Sequence, residues 1–116
     1  MGRQVFISYA HPDKVYADAV CNRLEQGGIN CWIAPRDISP SKDWAAEIIE
    51  AISSVYIMVL IFSSNTNNSP QVRREVERAV HKEVNILPFR IESVEPNSSL
   101  EYFISTQHWL DALTEP

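Results

Sequence analysis

One helical segment carries a carboxylate where its pattern calls for an apolar side chain. Counted from Val72, the inward stripe of an amphipathic helix falls at i, i+3, i+4, i+7 and i+8. Those positions are Val72, Glu75, Val76, Ala79 and Val80. Four are apolar and Glu75 is not, while Arg73, Arg74, Glu77 and Arg78 face outward on the same count. A carboxylate in an apolar seam is costly unless it is paired, wetted by a cleft or used in chemistry. The pattern leaves two readings open. Glu75 is either a structural acid at the rim of the stripe, paired with Arg78 or Arg74 or reaching back to the helix N-terminus, or a functional group.

The other residues with chemical potential are less pointed. Cys21 and Cys31 are ten residues apart, a spacing that matches no zinc pattern, and they are expected to be two reduced thiols. His11, His81 and His108 are scattered along the chain, so no metal site is expected.

The elements that must position Glu75 are organised by Val55–Phe62 (VYIMVLIF), an eight-residue run in which Tyr56 alone carries a polar atom. The run is too short for a membrane span and shows no alternation. It fits a strand buried on both faces, at the centre of a parallel sheet covered by helices. Ligands of such sheets collect beyond the carboxyl ends of the strands, which directs attention to residues 63–80.

Around this centre, Gln4–Tyr9 has the β-branched and aromatic content of a first strand. His11-Pro12-Asp13 has the form of a helix start. Tyr16, Val20 and Leu24 recur at helical spacing, beside Val15 and Ala19, until Gly27-Gly28 stops the helix. Ile29–Ile33 is a second strand with Ile29, Cys31 and Ile33 on one face, which completes a right-handed βαβ unit. Residues 34–43 form a proline-interrupted polar loop, long for a strand-to-helix connection. Asp43 caps the next helix, in which Trp44, Ile48 and Ile52 share a face flanked by Ala45 and Ile49. After the central strand, residues 63–69 read as a polar loop, and Ser69-Pro70 starts the helix that carries Glu75 and runs to about Lys82. Val84–Phe89 is a fourth strand, placed by Pro88 towards an edge or made to end early. Residues 92–105 are irregular, with room for one short helical turn, and Thr106–Leu110 is a fifth strand. The order implies a flavodoxin-like α/β fold, a five-stranded parallel sheet flanked by helices.

The length of 116 residues fits a single domain over residues 1–116, and 45% hydrophobic content is enough for one core. The net charge of −5 argues against a nucleic-acid or membrane partner. No signal peptide is visible, which leads to the expectation of a cytoplasmic protein. With no closing helix after the fifth strand, the chain is expected to be a module of a longer protein. A phospho-receiver domain shares the architecture but needs acidic residues at the end of the first strand and an Asp ending the third. Here those strands end in Ser8-Tyr9 and Phe62-Ser63-Ser64.

Four stretches, in order, carry a resemblance: VFISYAHPDK, GGINCWIAPRDISPSKDW, VYIMVLIFSSN and VRREVERAVHKEVNILPFRI. Together they resemble the TIR (Toll/interleukin-1 receptor type) domains, in the branch common in bacteria, and span residues 4–110. The resemblance implies an enzyme that hydrolyses or cyclises NAD+, with NAD+ as substrate and no further cofactor. The family's glutamate, set in an apolar-x-x-Glu-apolar pattern, falls on Glu75 within Val72–Val76. Substrate-lining positions are implied at Ser8, Tyr9 and Ala10, at Arg36 and Asp37 in the loop 34–43, and at Trp44. That loop is implied to gate the pocket and to contact neighbouring TIR protomers, so that activity follows self-assembly into a homo-oligomer or filament. A bacterial immune, antiviral-defence effector is the implied setting, and a non-catalytic TIR–TIR adaptor is the alternative. Two departures stand out. Ala10 and His11 follow the tyrosine where some relatives have arginine, which leaves Arg36 as the expected cation for the diphosphate. Gln71, one turn before Glu75, replaces a stacking tryptophan of some relatives.

Overall fold

The computed structural model describes residues 3–40, 43–104 and 109–111. Five parallel strands form one sheet in the order β2-β1-β3-β4-β5: β1 Val5–Ser8, β2 Cys31–Trp32, β3 Ile57–Phe62, β4 Asn85–Arg90 and β5 Leu110–Asp111. The apolar run is the middle strand, and Met58 to Phe62 are all buried. The intervening helices are α1 Lys14–Gln26, preceded by a 3-10 turn over His11–Asp13, then α2 Trp44–Ser54, α3 Ser64–Asn67, α4 Pro70–His81 and α5 Ser98–Ile104.

Alternation along the strands divides the core in two. Phe6, Met58, Leu60, Phe62 and Ile86 face α2, α4 and α5, packing with Ile52, Val72, Val76 and Leu100. Val5, Ile7, Val59 and Ile61 face α1, with Ala17, Cys21, Cys31 and Ile33. Ser8 is two residues beyond Phe6, so it projects to the α4 side at the carboxyl end of β1.

Several sequence expectations are corrected. The inward face of α1 is Ala17, Val20, Cys21 and Leu24, while Val15 and Tyr16 are exposed. The small side chains Ala17 and Cys21 let the helix approach the sheet, and Tyr16 lies on the flank. In α2, Ile52 is buried and Ile48 partly so, but Trp44 is 54% exposed because the first turn projects beyond the core. Residues 63–69 are not all loop: Ser63 and Thr66 form a reciprocal capping box that nucleates α3. Within the stretch expected to be irregular, Asn97 accepts a hydrogen bond from the Leu100 amide and opens α5, which seats Leu100 and Ile104 in the core. Pro88 lies inside β4, but among the described residues β5 pairs with Phe89 and Arg90, beyond the proline. Of the segment expected as the fifth strand, residues 106–108 lie outside the described residues.

The Thr66 hydroxyl accepts from the Ser63 amide at 2.9 Å and donates to the Ile61 carbonyl at 2.9 Å, all buried. Thr66→Val keeps the shape and removes both bonds. It is expected to destabilise the domain by about 1–3 kcal/mol in urea unfolding, the range for stranding a buried donor.

Candidate active site

At the carboxyl edge of the sheet, Glu75 is only 7% exposed. The helical count placed it on the inward stripe, and α4 buries Val72, Glu75, Val76 and Ala79 together. Its carboxylate is held by two neutral donors. Ser8 Oγ donates to Oε1 at 2.8 Å and Gln71 Nε2 donates to Oε2 at 3.1 Å. No arginine forms an ion pair with it among the described residues, so the structural pairing with Arg74 or Arg78 is not what fixes it. Burial pushes the Glu75 pKa up, and the hydrogen bonds from Ser8 and Gln71 and the charge of Arg74 only partly offset this.

Glu75 opens onto a cavity of about 230 Å3 whose walls include Phe6, Tyr9, Lys14, Ala34, Trp44 and Gln71. The Tyr9 hydroxyl donates to the Ala34 carbonyl at 2.6 Å and ties the start of the 34–43 loop to the rim. Burial, first among its causes, raises the Tyr9 pKa. On the other side of Trp44, Gln71 and Glu75 lies a second cavity of about 380 Å3, between α2 and α4.

Of the residues expected at the site, Ser8, Tyr9, Trp44, Gln71 and Glu75 come together. Ala10 is buried in the core and is not among the lining residues of this cavity. Arg36 and Asp37 also stand apart from it. Arg36 grips both Glu25 oxygens at 3.0 and 2.8 Å, Asp37 at 2.9 Å and the Cys31 carbonyl at 3.0 Å. Asp37 accepts from the Ile33 amide at 2.9 Å and pairs with Arg3 at 3.2 Å. Although burial works to raise the Asp37 pKa, the bonds from Arg36 and Ile33 and the Arg3 charge outweigh it and hold the carboxylate low. Both residues thus brace the loop on its far side.

Sequence reasoning missed His11 and Lys14, which line the first cavity. The signal was present: a helix that starts directly after a strand places its first residues at the sheet's carboxyl edge. It also missed that Cys21, Glu25 and Cys31 offer ligand atoms within 4.8 Å of one another. Burial pushes the Cys31 thiol up to about 12, and Arg36 occupies both Glu25 oxygens, so the cluster stands as neutral thiols beside a closed ion pair.

Residues 5–115 match the family described as TIR domain. The chain is a TIR domain. Solved structures agree on the fold. The TIR domain of a Toll-related receptor from Hydra magnipapillata superposes with a TM-score of 0.81 at 22% identity, over 93% of this chain and 82% of that one. The TIR domains of the activated Roq1 resistosome give 0.68 at 21% identity, over 77% of this chain and 57% of that one. A Clostridium botulinum CMP N-glycosidase gives 0.66 at 17%, over 94% and 88%. A sequence comparison with curated proteins gives no match. Among the described residues of this TIR domain, no helix is long and apolar enough to cross a membrane.

A raised acid pKa makes a linked stability prediction. The folded state holds its Glu75 proton more tightly than the unfolded chain does. The folded domain is therefore most stable, as far as this group is concerned, below the ordinary glutamate range, and loses stability as pH rises through the raised value. Glu75→Gln removes that loss. It is expected to match wild type in acid and to melt higher at neutral and alkaline pH, as thermal scans across pH will show.

Proposed function

We propose that this TIR domain cleaves the nicotinamide–ribose bond of NAD+, as a hydrolase or cyclase, with Glu75 as the catalytic carboxylate. The observation that carries the reading is a nearly buried carboxylate, held by neutral donors alone, at the wall of a cleft. Nicotinamide in NAD+ is already a cationic leaving group and needs no general acid, unlike the leaving group of an ordinary glycoside. The remaining task is to stabilise positive charge on the ribose as the bond breaks. A fixed carboxylate in a poorly hydrated site does this with little reorganisation. It can also accept hydrogen bonds from the ribose hydroxyls. Water, or the adenine of the same molecule, then takes the anomeric carbon.

Ser8 and Gln71 orient the two Glu75 oxygens without neutralising them, so the negative charge remains available to the sugar. A lysine or arginine in their place would have quenched it. The similar fold of a CMP N-glycosidase supports N-glycosidic cleavage as chemistry this architecture can house. The TIR domains of the Roq1 resistosome support association between TIR domains. In this reading self-assembly switches the domain on, through the 34–43 loop. Its exposed Pro35 and Arg36 sit on a segment anchored by Tyr9, Asp37 and buried Ile38.

Nicotinamide release from NAD+ is measured on protein concentrated or scaffolded to enforce assembly. Glu75→Gln is expected to lower the rate at least about 100-fold, the scale for removing one preorganised electrostatic group. Equal rates would remove Glu75 from the mechanism. The rate should fall as acid protonates Glu75, and Ser8→Ala, which removes a bond that favours the charged form, should move that acid limb to higher pH.

A further inference from the structure

The cavity bounded by Tyr9 and Lys14 is smaller than the pockets that hold a drug-sized ligand, which run to about 300–1,000 Å3, and it measures about 230 Å3. That is room for one nucleotide half and not for a dinucleotide. The cavity between α2 and α4 adds about 380 Å3, and the two share Trp44, Gln71 and Glu75 as common wall. Glu75 thus lies at the seam of a two-part cleft.

The two parts differ in charge and surface. The α2–α4 groove is walled by Trp44, Ile48, Ile49 and Ile52 and carries Arg74 and Arg78 from α4. Neither arginine forms an ion pair among the described residues, and the Arg78 Nε is buried with no hydrogen-bond partner. Both arginines line the groove, so their cationic side chains border any anion that enters it. Beside it Trp44 is 54% and Ile49 41% exposed, leaving flat apolar surface next to cationic donors. Such a surface fits a planar base on the apolar wall with phosphate oxygens on the guanidiniums. In the smaller cavity the cation Lys14 is paired with Asp18 at 2.8 Å, so its charge is locally balanced.

Resting on the NAD+ reading above, we propose that the adenylate half of the dinucleotide occupies the α2–α4 groove, its diphosphate on Arg74 and Arg78 and its adenine against Trp44. The nicotinamide enters the smaller cavity, where no pair of free guanidiniums repels the pyridinium, and the nicotinamide ribose crosses Glu75. The groove also answers the two departures noted in the sequence. Arg36 is bound to Glu25 and Asp37 and is not needed for the diphosphate. Trp44 supplies the aromatic face that Gln71 cannot. Arg74 and Arg78 are accordingly specificity residues for a dinucleotide over a mononucleotide.

The test compares NAD+ with nicotinamide mononucleotide, which has the same scissile bond and lacks the adenylate. Arg74→Gln and Arg78→Gln should each raise KM for NAD+ about tenfold or more, the scale of one charge-assisted hydrogen bond. For Arg78→Gln, kcat on NAD+ and kcat/KM on the mononucleotide should stay within about twofold of wild type, whereas Arg74, whose charge also acts on Glu75, is read through KM for NAD+ alone. Arg78→Lys, which keeps the charge, guards against misfolding and should fall between. Independently of turnover, ADP should shift the Trp44 indole N–H resonance of wild type and bind more weakly to both glutamine variants. Equal losses on the two substrates, or a Trp44 signal unmoved by ADP, would overturn the groove assignment. If wild type releases nicotinamide from neither substrate while ADP binding still depends on the arginines, the NAD+-cleaving reading fails and the groove stands as an adenine-nucleotide site.

Discussion

A carboxylate forced into an apolar seam is the constraint on which the rest of this structure turns. Glu75 takes a position that four neighbours on the same stripe fill with hydrocarbon, and two neutral hydrogen bonds, with a smaller contribution from the Arg74 charge, soften its desolvation. Each of those bonds is set by a periodicity. Strand alternation sends Ser8 to the same side of the sheet as Phe6, and one helical turn sets Gln71 beside Glu75. Neither donor carries charge. The site therefore keeps a carboxylate that is oriented but not neutralised, and the fold bears an energetic penalty at this point, as functional sites commonly do.

Holding that geometry requires that the end of β1 and the start of α4 keep a fixed separation. Two networks at the sheet's edges serve this. Asp13, buried below α1, accepts from Ser63 Oγ at 2.6 Å and Asn65 Nδ2 at 3.0 Å, so the turn after β1 is bolted to the turn after β3. Ser69 then caps α4 through the Val72 amide, three residues before Glu75. On the other edge, Arg36, Asp37, Glu25 and Arg3 clamp the start of the 34–43 loop to β2 and α1. The loop that borders the cleft is thus stiff where it leaves the sheet.

Much of this was legible in the sequence because burial and period coincide there. The central strand announced itself as an unbroken apolar run, and Glu75 as an exception to a helical stripe; both are where one-dimensional pattern and three-dimensional packing obey the same rule. Legibility failed where long-range hydrogen bonding decides. Arg36 and Asp37 look like free loop charges, and only the fold brings Glu25, eleven residues earlier, within reach of the guanidinium. Tyr16 looked inward by spacing, but the preference of the sheet for small Ala17 and Cys21 rotated the helix. The α3 capping box was readable in Ser63 and Thr66, yet threonine in place of the usual Glu or Gln obscured it. Cys21 and Cys31 meet because a βαβ unit folds back on itself, a contact no local spacing encodes.

The distribution of cations follows from the same physics. An arginine close enough to bond Glu75 would lower its pKa and secure it as a carboxylate, but in the reaction proposed above it would also cancel the field that stabilises a developing ribosyl cation. Arg74 is instead set on the adjacent outward position of α4 and acts on Glu75 only as the weakest of its perturbations. Arg78, one turn further on, is far enough along the helix to serve another group entirely. Arg36, which could have competed for any anion entering the cleft, is neutralised by two carboxylates. Among the described residues the cleft thus has at its seam a carboxylate held by neutral donors and, along one arm, arginines that form no ion pair. On the NAD+ reading proposed above, a substrate that is cationic at one end and doubly anionic in the middle would be orientated by that asymmetry before any shape complementarity is called upon.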